Sequence, residues 1–247
     1  MSIFGSVISW LTDPANWSGS MGIPHLLAQH MEYVLLSILI GAVIAIPLGA
    51  FIGHTGKGGF LVAGVANGLR ALPELGLLIL FSLLIGLGIL PVVLALVVLA
   101  IPPLLAGTYA GIRNVDSSVV DAARGVGMRG STVLFRVELP IALPLIFGGL
   151  RTAMLQLIAT ATIAAYVGLG SVGFYVFEGE AGHNFTIMAG GAVLIAALAL
   201  IMEGLLILIQ RFVVSPGLRP VRQRGATRSS TVTSSTMDVE TAGGTAQ

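Results

Sequence analysis

The sequence predicts an all-α integral membrane protein with about five transmembrane helices. Of its 247 residues, 55% are hydrophobic and only 9% are charged, and the mean hydropathy is +0.98. A soluble domain of this length needs far more charge, so the apolar excess must face lipid or other membrane helices. Apolar stretches of membrane-spanning length alternate with short polar ones. The chain has no cysteine, which excludes disulfides and thiolate metal sites.

The first thirty residues (1–30) are predicted to form an extracytoplasmic or interfacial segment. The apolar stretch from Ile3 to Leu11 has no basic flank and is interrupted by Asp13 and Pro14, so it does not read as a signal peptide. We expect a short interfacial segment. The alternative is a disordered start with no role.

Five apolar stretches between residues 31 and 213 make up the predicted transmembrane domain. Each has about the 20 residues that cross a ~30 Å hydrocarbon core, or more. A tight polar turn, Gly53 to Gly59 with His54 and Lys57, is predicted after the first stretch. The stretches are Tyr33–Ile52, Phe60–Leu87, Pro91–Ile112, Leu139–Val167 and Thr186–Val213.

The basic residues outside these stretches occupy alternate connections. They are Lys57, then Arg113, Arg124, Arg129 and Arg136, then Arg211, Arg219, Arg222, Arg224 and Arg228. The other connections carry Asp13, Glu32, Glu178 and Glu180. By the positive-inside rule the N-terminus lies outside and the C-terminus in the cytoplasm, which makes the long loop 113–138 cytoplasmic.

The tail, residues 214–247, is predicted to be a disordered cytoplasmic segment. After Pro216 it is rich in Ser, Thr and Gly and lacks the apolar residues that a core needs. Its arginines act as a topogenic signal or bind anionic lipid or a partner.

The loop between the third and fourth stretches predicts two short helices with a glycine joint. Asp116 stands at an N-cap position, and the helix that it starts should end near Gly125 to Gly127. Ser131 is expected to cap a second helix, 132–138, before Pro140 breaks or redirects the chain.

The first of these helices has small side chains that suit a groove on another protein. Ala122 and Ala123 allow close backbone approach, and Asp121 offers an acceptor for a hydrogen bond or an ion pair. An ordinary amphipathic linker lying on the membrane is the alternative.

The spacing in this loop resembles the signature of permease subunits of binding-protein-dependent ABC importers, the type-1 transmembrane domain family. The matching positions are Asp121, Ala122, Ala123, Gly127, Val137, Leu139 and Pro140. Asp121 stands where the family usually has Glu. The resemblance implies that this loop is the coupling helix that seats on a cytoplasmic ATPase.

The resemblance covers most of residues 31–212 and points to the osmoprotectant branch, which implies transport of glycine betaine, choline, carnitine or proline betaine. Glu74 departs from the branch, which often has an uncharged residue after Pro73. The similar stretches are LSILIGAVIAIPLGAFIG (36–53), RALPELGLL (70–78), GTYAGIRNVDSSVVDAARGVGM (107–128), FRVELPIALPLIFGGLRTA (135–153) and TATIAAYVGLGSVG (160–173).

The family also implies the partners: a cytoplasmic ATPase dimer, an extracytoplasmic substrate-binding protein, and a second copy of this permease or a sister chain. No GxxxxGK[ST] phosphate loop occurs in the sequence, so we expect ATP and Mg²⁺ on the partner ATPase and no cofactor on this chain. We predict a non-catalytic subunit of the bacterial inner membrane, in contact with lipid and not with nucleic acid, and with no catalytic or metal site.

Four charges inside the apolar stretches are candidate functional residues. Arg70 and Glu74, four residues apart around Pro73, either pair on one helix face or line the substrate path. Arg151 and Glu203 lack local partners and are candidates to pair across helices; the resemblance favours a structural or gating role for Arg151. Aromatic residues near the outer end form an interfacial belt or help to bind a quaternary ammonium group: Tyr166, Phe174, Tyr175 and Phe177.

Other functions give poorer accounts of the loop. An importer of amino acids, phosphonates or metal chelates is the nearest alternative. A secondary transporter or channel would have no reason for the loop signature. An intramembrane serine protease built on Ser171 and His183 is disfavoured, because these residues fall in an outer connection.

Overall fold

The computed structural model describes residues 3–214, and these form ten α-helices with short 3₁₀ and π segments and no strand. The predicted tail, apart from Val214, lies outside the described residues. The helices are α1 (Ile3–Thr12), α2 (Ile23–Thr55), α3 (Gly59–Arg70), α4 (Glu74–Ile85), α5 (Ile89–Arg113), α6 (Ser117–Gly125), α7 (Gly130–Val133), α8 (Leu139–Thr160), α9 (Gly173–Ala181) and α10 (Phe185–Val213).

The N-terminal segment folds against the rest of the chain. The Asp13 carboxylate accepts a hydrogen bond from the Ala15 amide at 3.0 Å and caps a 3₁₀ turn, Pro14–Trp17, that stops α1. Trp10 packs on α10 at Gly190 and makes an edge contact with Tyr175, with 4.9 Å between ring centroids. The alternative of a disordered start is therefore wrong for this helix.

Helix α2 is longer at both ends than the predicted first span. It begins with Ile23 and Pro24, because proline fits the first turn of a helix, where no amide donor is needed. It ends at Thr55 and is capped by Gly56, whose left-handed backbone (φ 70°) lets its amide bond the Ile52 carbonyl. His54 therefore lies in the last helical turn, not in a polar loop.

Helix α5 is the centre of the fold and packs against α2, α3, α4 and α8. Glycines bring these backbones together. A Cβ on Gly49 of α2 would lie 2.9 Å from the Thr108 Cβ, and one on Gly149 of α8 would lie 2.6 Å from the Pro103 carbonyl oxygen. Small residues at helix crossings are the usual basis of packing within a membrane. Helices α2, α5 and α8 thus form one tightly packed block.

The predicted second span, Phe60–Leu87, is broken at Pro73, a position where the sequence allows a break. It is two helices, α3 and α4, which meet at an angle of 84°. Pro73 has no amide hydrogen and pushes the residue before it out of the helical region, so the chain turns at residues 71–73. Four segments of the described chain are long and apolar enough to cross a membrane, and the bent pair would make a fifth: α2, α5, 130–167 and α10.

Pro140 was expected to break or redirect the chain, and it does not end the helix. From α7 the chain continues through a π-turn, Leu134–Glu138, into α8, and the Leu139 amide bonds the Leu134 carbonyl. The wider turn accommodates the proline ring, which has no amide to donate and would crowd the carbonyl four residues earlier in a regular helix. Ser131 is not the cap, since the helix starts at Gly130 after Arg129.

The outer helix α10 packs on α8, α9 and α1 and buries three of its residues: Gly190, Gly191 and Leu206. The Asn184 side chain caps it by accepting from the amides of Thr186 and Ile187 at 3.1 and 3.2 Å. Most of its apolar surface is exposed and faces away from the packed block. In a membrane protein such a surface faces lipid or another subunit.

Candidate functional site

The start of the loop helix α6 is as the sequence predicts. The Asp116 carboxylate accepts from the Ser118 amide at 2.9 Å, which satisfies one of the free donors of the first turn. This backbone hydrogen bond, helped by one from the Ser118 side chain, lowers the pKa of Asp116 below its ordinary value of 3.8. Asp116 is fully exposed, so the shift comes from hydrogen bonding and not from burial.

The end of α6 is a Schellman motif centred on Gly127. The Met128 amide bonds the Ala123 carbonyl at 3.2 Å, and the Gly127 amide bonds the Arg124 carbonyl at 2.9 Å. Gly127 has φ +87°, a left-handed conformation that other residues adopt only with strain. The predicted glycine joint therefore depends on the left-handed backbone of Gly127, which turns the chain between α6 and α7.

One face of α6 is apolar and unpartnered within the chain. At helical spacing it carries Val119, Ala122, Ala123 and Val126, and Val119 and Val126 are 41% and 79% exposed. No residue of α6 is buried. Small and branched apolar side chains on one face of an exposed helix match the helix-in-groove mode of protein recognition. Ala122 and Ala123 thus lie on the accessible apolar face of α6.

The opposite face of α6 borders a cleft of about 390 Å³ inside the chain. Ser117, Val120, Asp121 and Arg124 line it together with the ends of α2 and α5. Asp121 is therefore on the far side of the helix from the two alanines. The structure separates the acidic residue of the signature from the apolar docking face.

The second half of the signature lies in the π-turn and the start of α8. Val137 is half-buried, and Leu139 packs against a small core cluster formed by Ala50, Ile112, Ala142 and Ile146. Through this contact the end of the loop is fixed to α2 and α5.

A contact that the sequence reasoning missed joins this region to α2. His54 Nδ1 lies 2.6 Å from Glu138 Oε2, and the two side chains are 18% and 6% exposed. Since a carboxylate has no proton to give, the imidazole Nδ1–H donates. The two residues are 84 positions apart, so no local sequence pattern predicts their contact. The sequence also does not predict the π-turn that orients Glu138.

The predicted pairing of Arg70 with Glu74 on one helix face is wrong. The break at Pro73 puts them on different helices, and the Glu74 carboxylate instead accepts from the Thr160 hydroxyl at 3.0 Å. Thr160 ends α8, where the chain tightens into a 3₁₀ segment, Ala161–Val167. Glu74 is thus placed at the joint of two broken helices, while Arg70 is exposed.

The end of α8 is held from a second side. His30 Nε2 donates to the Ile158 carbonyl at 2.9 Å, and the His30 side chain is fully buried. This carbonyl lies where α8 ends and the chain tightens into the 3₁₀ segment. Polar groups from α2 and α4 therefore converge on the same helix end.

Arg151 and Glu203 form an ion pair between α8 and α10, with Arg151 Nη2 donating to Glu203 Oε1. Both side chains are largely covered, at 33% and 22% exposure. Two atoms of the pair, Arg151 Nε and Glu203 Oε2, are buried without a partner among the described residues. The pairing neutralises two charges that would each be costly alone in a membrane.

Tyr175 and Ser171 make structural hydrogen bonds. The Tyr175 ring is buried, and its hydroxyl donates to the Met21 carbonyl at 2.7 Å. The Ser171 hydroxyl accepts from the Gly173 amide and donates to the Thr162 carbonyl, which leaves it no nucleophilic arrangement. Among residues 3–214 no three His, Asp or Glu side chains lie close enough to hold a metal ion.

Comparison with known proteins decides the family. Residues 33–220 match the family model described as "Binding-protein-dependent transport system inner membrane component". The chain belongs to this family.

Curated relatives agree. The glycine betaine/carnitine/choline transport system permease protein OpuCB of Bacillus subtilis is 34% identical over 195 residues, which cover 79% of this chain and 90% of the relative. The choline transport system permease protein OpuBB of the same organism is 32% identical with the same coverage. The osmoprotectant import permease protein OsmW of Salmonella typhimurium is 33% identical over 217 residues, 86% of this chain and 99% of the relative.

Solved structures share the fold. The MetNI methionine ABC transporter in an inward-facing conformation matches with a TM-score of 0.72 at 21% identity, over 83% of this chain and 100% of that one. An amino acid ABC transporter matches with a TM-score of 0.64 at 19% identity, over 83% and 98%. The architecture predicted from the sequence, an all-helical permease with a helix in the loop after the third span, is confirmed.

Proposed function

We propose that this chain forms the translocation path of an ATP-driven importer of osmoprotectants such as glycine betaine, choline, carnitine or proline betaine. The observation that carries the proposal is the exposed apolar face of α6, which precedes a helix that continues unbroken into the membrane. The names of the similar permeases support the solute class.

The ATPase that powers transport is a separate chain. Its groove receives Val119, Ala122, Ala123 and Val126, whose exposed surface has no partner within the described residues. ATP and Mg²⁺ bind to that partner, and closure of an ATPase dimer draws two coupling helices together. Because α7 runs through the π-turn into α8, displacement of the loop is carried directly into a membrane span.

A second permease chain, identical or a sister, completes the path. Helices α3 and α4 bury only Val62, Ala66 and Leu78, and the rest of their surface is largely apolar and exposed. A broken helix at membrane depth must be covered by protein or line a polar cavity. We therefore infer that the bend that holds Glu74 lies at the surface shared by the two permeases.

The charges at the bend suit a dipolar solute. Glu74 presents a carboxylate to a quaternary ammonium group, and Arg70 on the neighbouring helix presents a guanidinium to a carboxylate. Together they provide opposite charges on two neighbouring helices whose other residues are mostly apolar. The orientation follows the basic loops, with the N-terminus outside, α6 in the cytoplasm, and the solute delivered by an extracytoplasmic binding protein.

The test of the docking face uses two variants that add the same charge to opposite faces of α6. Ala123→Glu places a carboxylate on the apolar face and should abolish both ATPase co-purification and uptake of radiolabelled glycine betaine. Ser117→Glu adds it to the first turn on the other face, where a negative charge is favourable, and should preserve both. Normal uptake by Ala123→Glu would refute the docking assignment.

The solute class is tested by competition. Unlabelled choline, carnitine and proline betaine should displace glycine betaine from the reconstituted importer. Uptake of amino acids or phosphonates in place of these compounds would support the nearest alternative. Uptake that continues after deletion of the ATPase would identify a secondary carrier and overturn the proposal.

A further inference from the structure

The His54–Glu138 contact adds a polar link beside the apolar contacts between α2 and the start of α8. It joins the last turn of α2 to the segment just before α8, at 2.6 Å and with little solvent access. A buried carboxylate needs a hydrogen-bonding partner. Within residues 3–214 His54 is the one side chain that hydrogen-bonds to Glu138.

The π-turn is what aims Glu138 at His54. Leu134–Glu138 contains one residue more than a regular helical turn would, and the Leu139 amide bonds the Leu134 carbonyl across it. Conversion of this turn to regular α-helix would rotate everything before it by about 100° relative to α8. Glu138 would then leave His54, and α6 would turn relative to the membrane span.

The pair also faces the inner side of the coupling helix. His54 and Glu138 line the same cleft as Asp121 and Arg124 of α6 and Arg113 at the end of α5. The charges in the cleft are of both signs, so it has no bias toward an anion or a cation. The cleft lies between α2, α5 and α6, so we interpret it as the contact region of these helices and not as a binding site.

We propose that His54 is a positioning residue for coupling. Its hydrogen bond to Glu138 holds the π-turn in register, so that displacement of α6 by the ATPase reaches α2 as well as α8. The consequence for transport rests on the proposed importer function, whereas the register of the turn does not.

The register is tested by hydrogen exchange on the full permease–ATPase complex in lipid nanodiscs. In His54→Leu, exchange at the Leu139 amide should accelerate roughly 10- to 100-fold, the range expected for loss of a hydrogen bond to a charged group. His54→Asn, whose Nδ2 stands where the histidine Nδ1 is, should return the rate toward that of the native protein. Thr55→Ala is a neighbouring change on α2; its hydroxyl donates to the Phe51 and Ile52 carbonyls and accepts from the Lys57 amide, so this change should leave the rate unchanged.

Stability is separated from positioning by the double variant His54→Leu, Glu138→Leu. It removes the buried carboxylate together with its partner, so it should fold even where His54→Leu does not. Exchange at Leu139 should remain fast in this variant, because the polar link between α2 and the turn is still absent and only the apolar packing around Leu139 remains. Slow exchange in the double variant would overturn the proposal.

The functional readout is the number of ATP molecules hydrolysed per radiolabelled glycine betaine imported, measured with the binding protein present. This ratio should rise in His54→Leu and recover in His54→Asn, while the ATPase remains bound in both. A normal ratio despite fast exchange would mean that His54 is merely structural and would overturn the proposal. If the native complex imports no glycine betaine, the proposed solute fails, and the exchange rates still decide the register.

Discussion

Gly149 offers a sharp test of the packed block because its neighbour is a matched control. A Cβ on Gly149 would meet the Pro103 carbonyl oxygen at 2.6 Å and the Gly107 Cα at 3.1 Å, both backbone atoms that no side-chain rotation can move. A Cβ on Gly148, one residue earlier in α8, would meet nothing within 4 Å. The two Gly→Ala changes are identical in chemistry and differ only in space.

The expected effects have opposite signs. To bring the 2.6 Å contact to an ordinary 3.4 Å, α5 and α8 must separate by about 0.8 Å, which disturbs the whole crossing. Overpacking of this kind lowers the free energy of unfolding by roughly 1–3 kcal/mol. Gly148→Ala should raise it by roughly 0.5–1 kcal/mol, because alanine loses less backbone entropy than glycine in a helix.

The assay is thermal unfolding of the detergent-solubilised permease, followed by the fraction that remains monodisperse after heating. Gly149→Ala should unfold at a lower temperature than the native chain, and Gly148→Ala at the same or a higher one. Equal transition temperatures for the two variants would refute the close crossing of α5 and α8.

Three further predictions concern charges and caps. Glu203→Gln should lower the free energy of unfolding by roughly 3 kcal/mol in the same assay, because it leaves the Arg151 charge without its partner. The double change Arg151→Met, Glu203→Leu should be nearly neutral. Equal losses in the two variants would contradict the pairing. The cap of α6 should hold above about pH 4 and weaken as the pH falls through the lowered pKa of Asp116. Hydrogen exchange at the Ser118 amide measures this weakening. In Asp116→Asn the protection of that amide should no longer depend on the ionisation of residue 116. Gly127→Ala should destabilise α6 by roughly 1–2 kcal/mol, because residue 127 has a left-handed backbone that alanine adopts only with strain. Gly125→Ala should not destabilise it. Hydrogen exchange at the amides of α6 compares the two variants.

The sequence predicts the membrane class and most of the spans because lipid imposes a long, uniform apolar signal. The third span and the fifth begin and end within two residues of their predicted limits. The cap at Asp116 and the joint at Gly127 are likewise predicted, since both are local: each depends on a few neighbouring backbone groups. Signals of this range are readable without the fold.

The predictions that failed concern features that depend on tertiary contacts and not on local sequence. Pro73 and Pro140 carry the same local signal, yet the chain bends by 84° at the first and continues through a π-turn at the second. What differs is tertiary support: the residues around Pro140 pack against α2 and α5, whereas those around Pro73 are exposed. A proline specifies that a regular hydrogen bond is absent, but the surroundings decide how the helix responds.

The spacing of the loop signature follows from the effects of its glycine and its proline on the backbone. Gly127 reverses the chain so that α6 lies across the end of the block, and Pro140 forces the wide turn that carries Glu138 inward to His54. The segment between them must be long enough to pass from the exposed helix α6 to the buried junction. A one-residue insertion in this segment would rotate α6 by about 100° relative to α8 and turn Ala122 and Ala123 away from the side on which we propose that an ATPase docks. The spacing of the signature therefore sets the angle of α6 relative to α8.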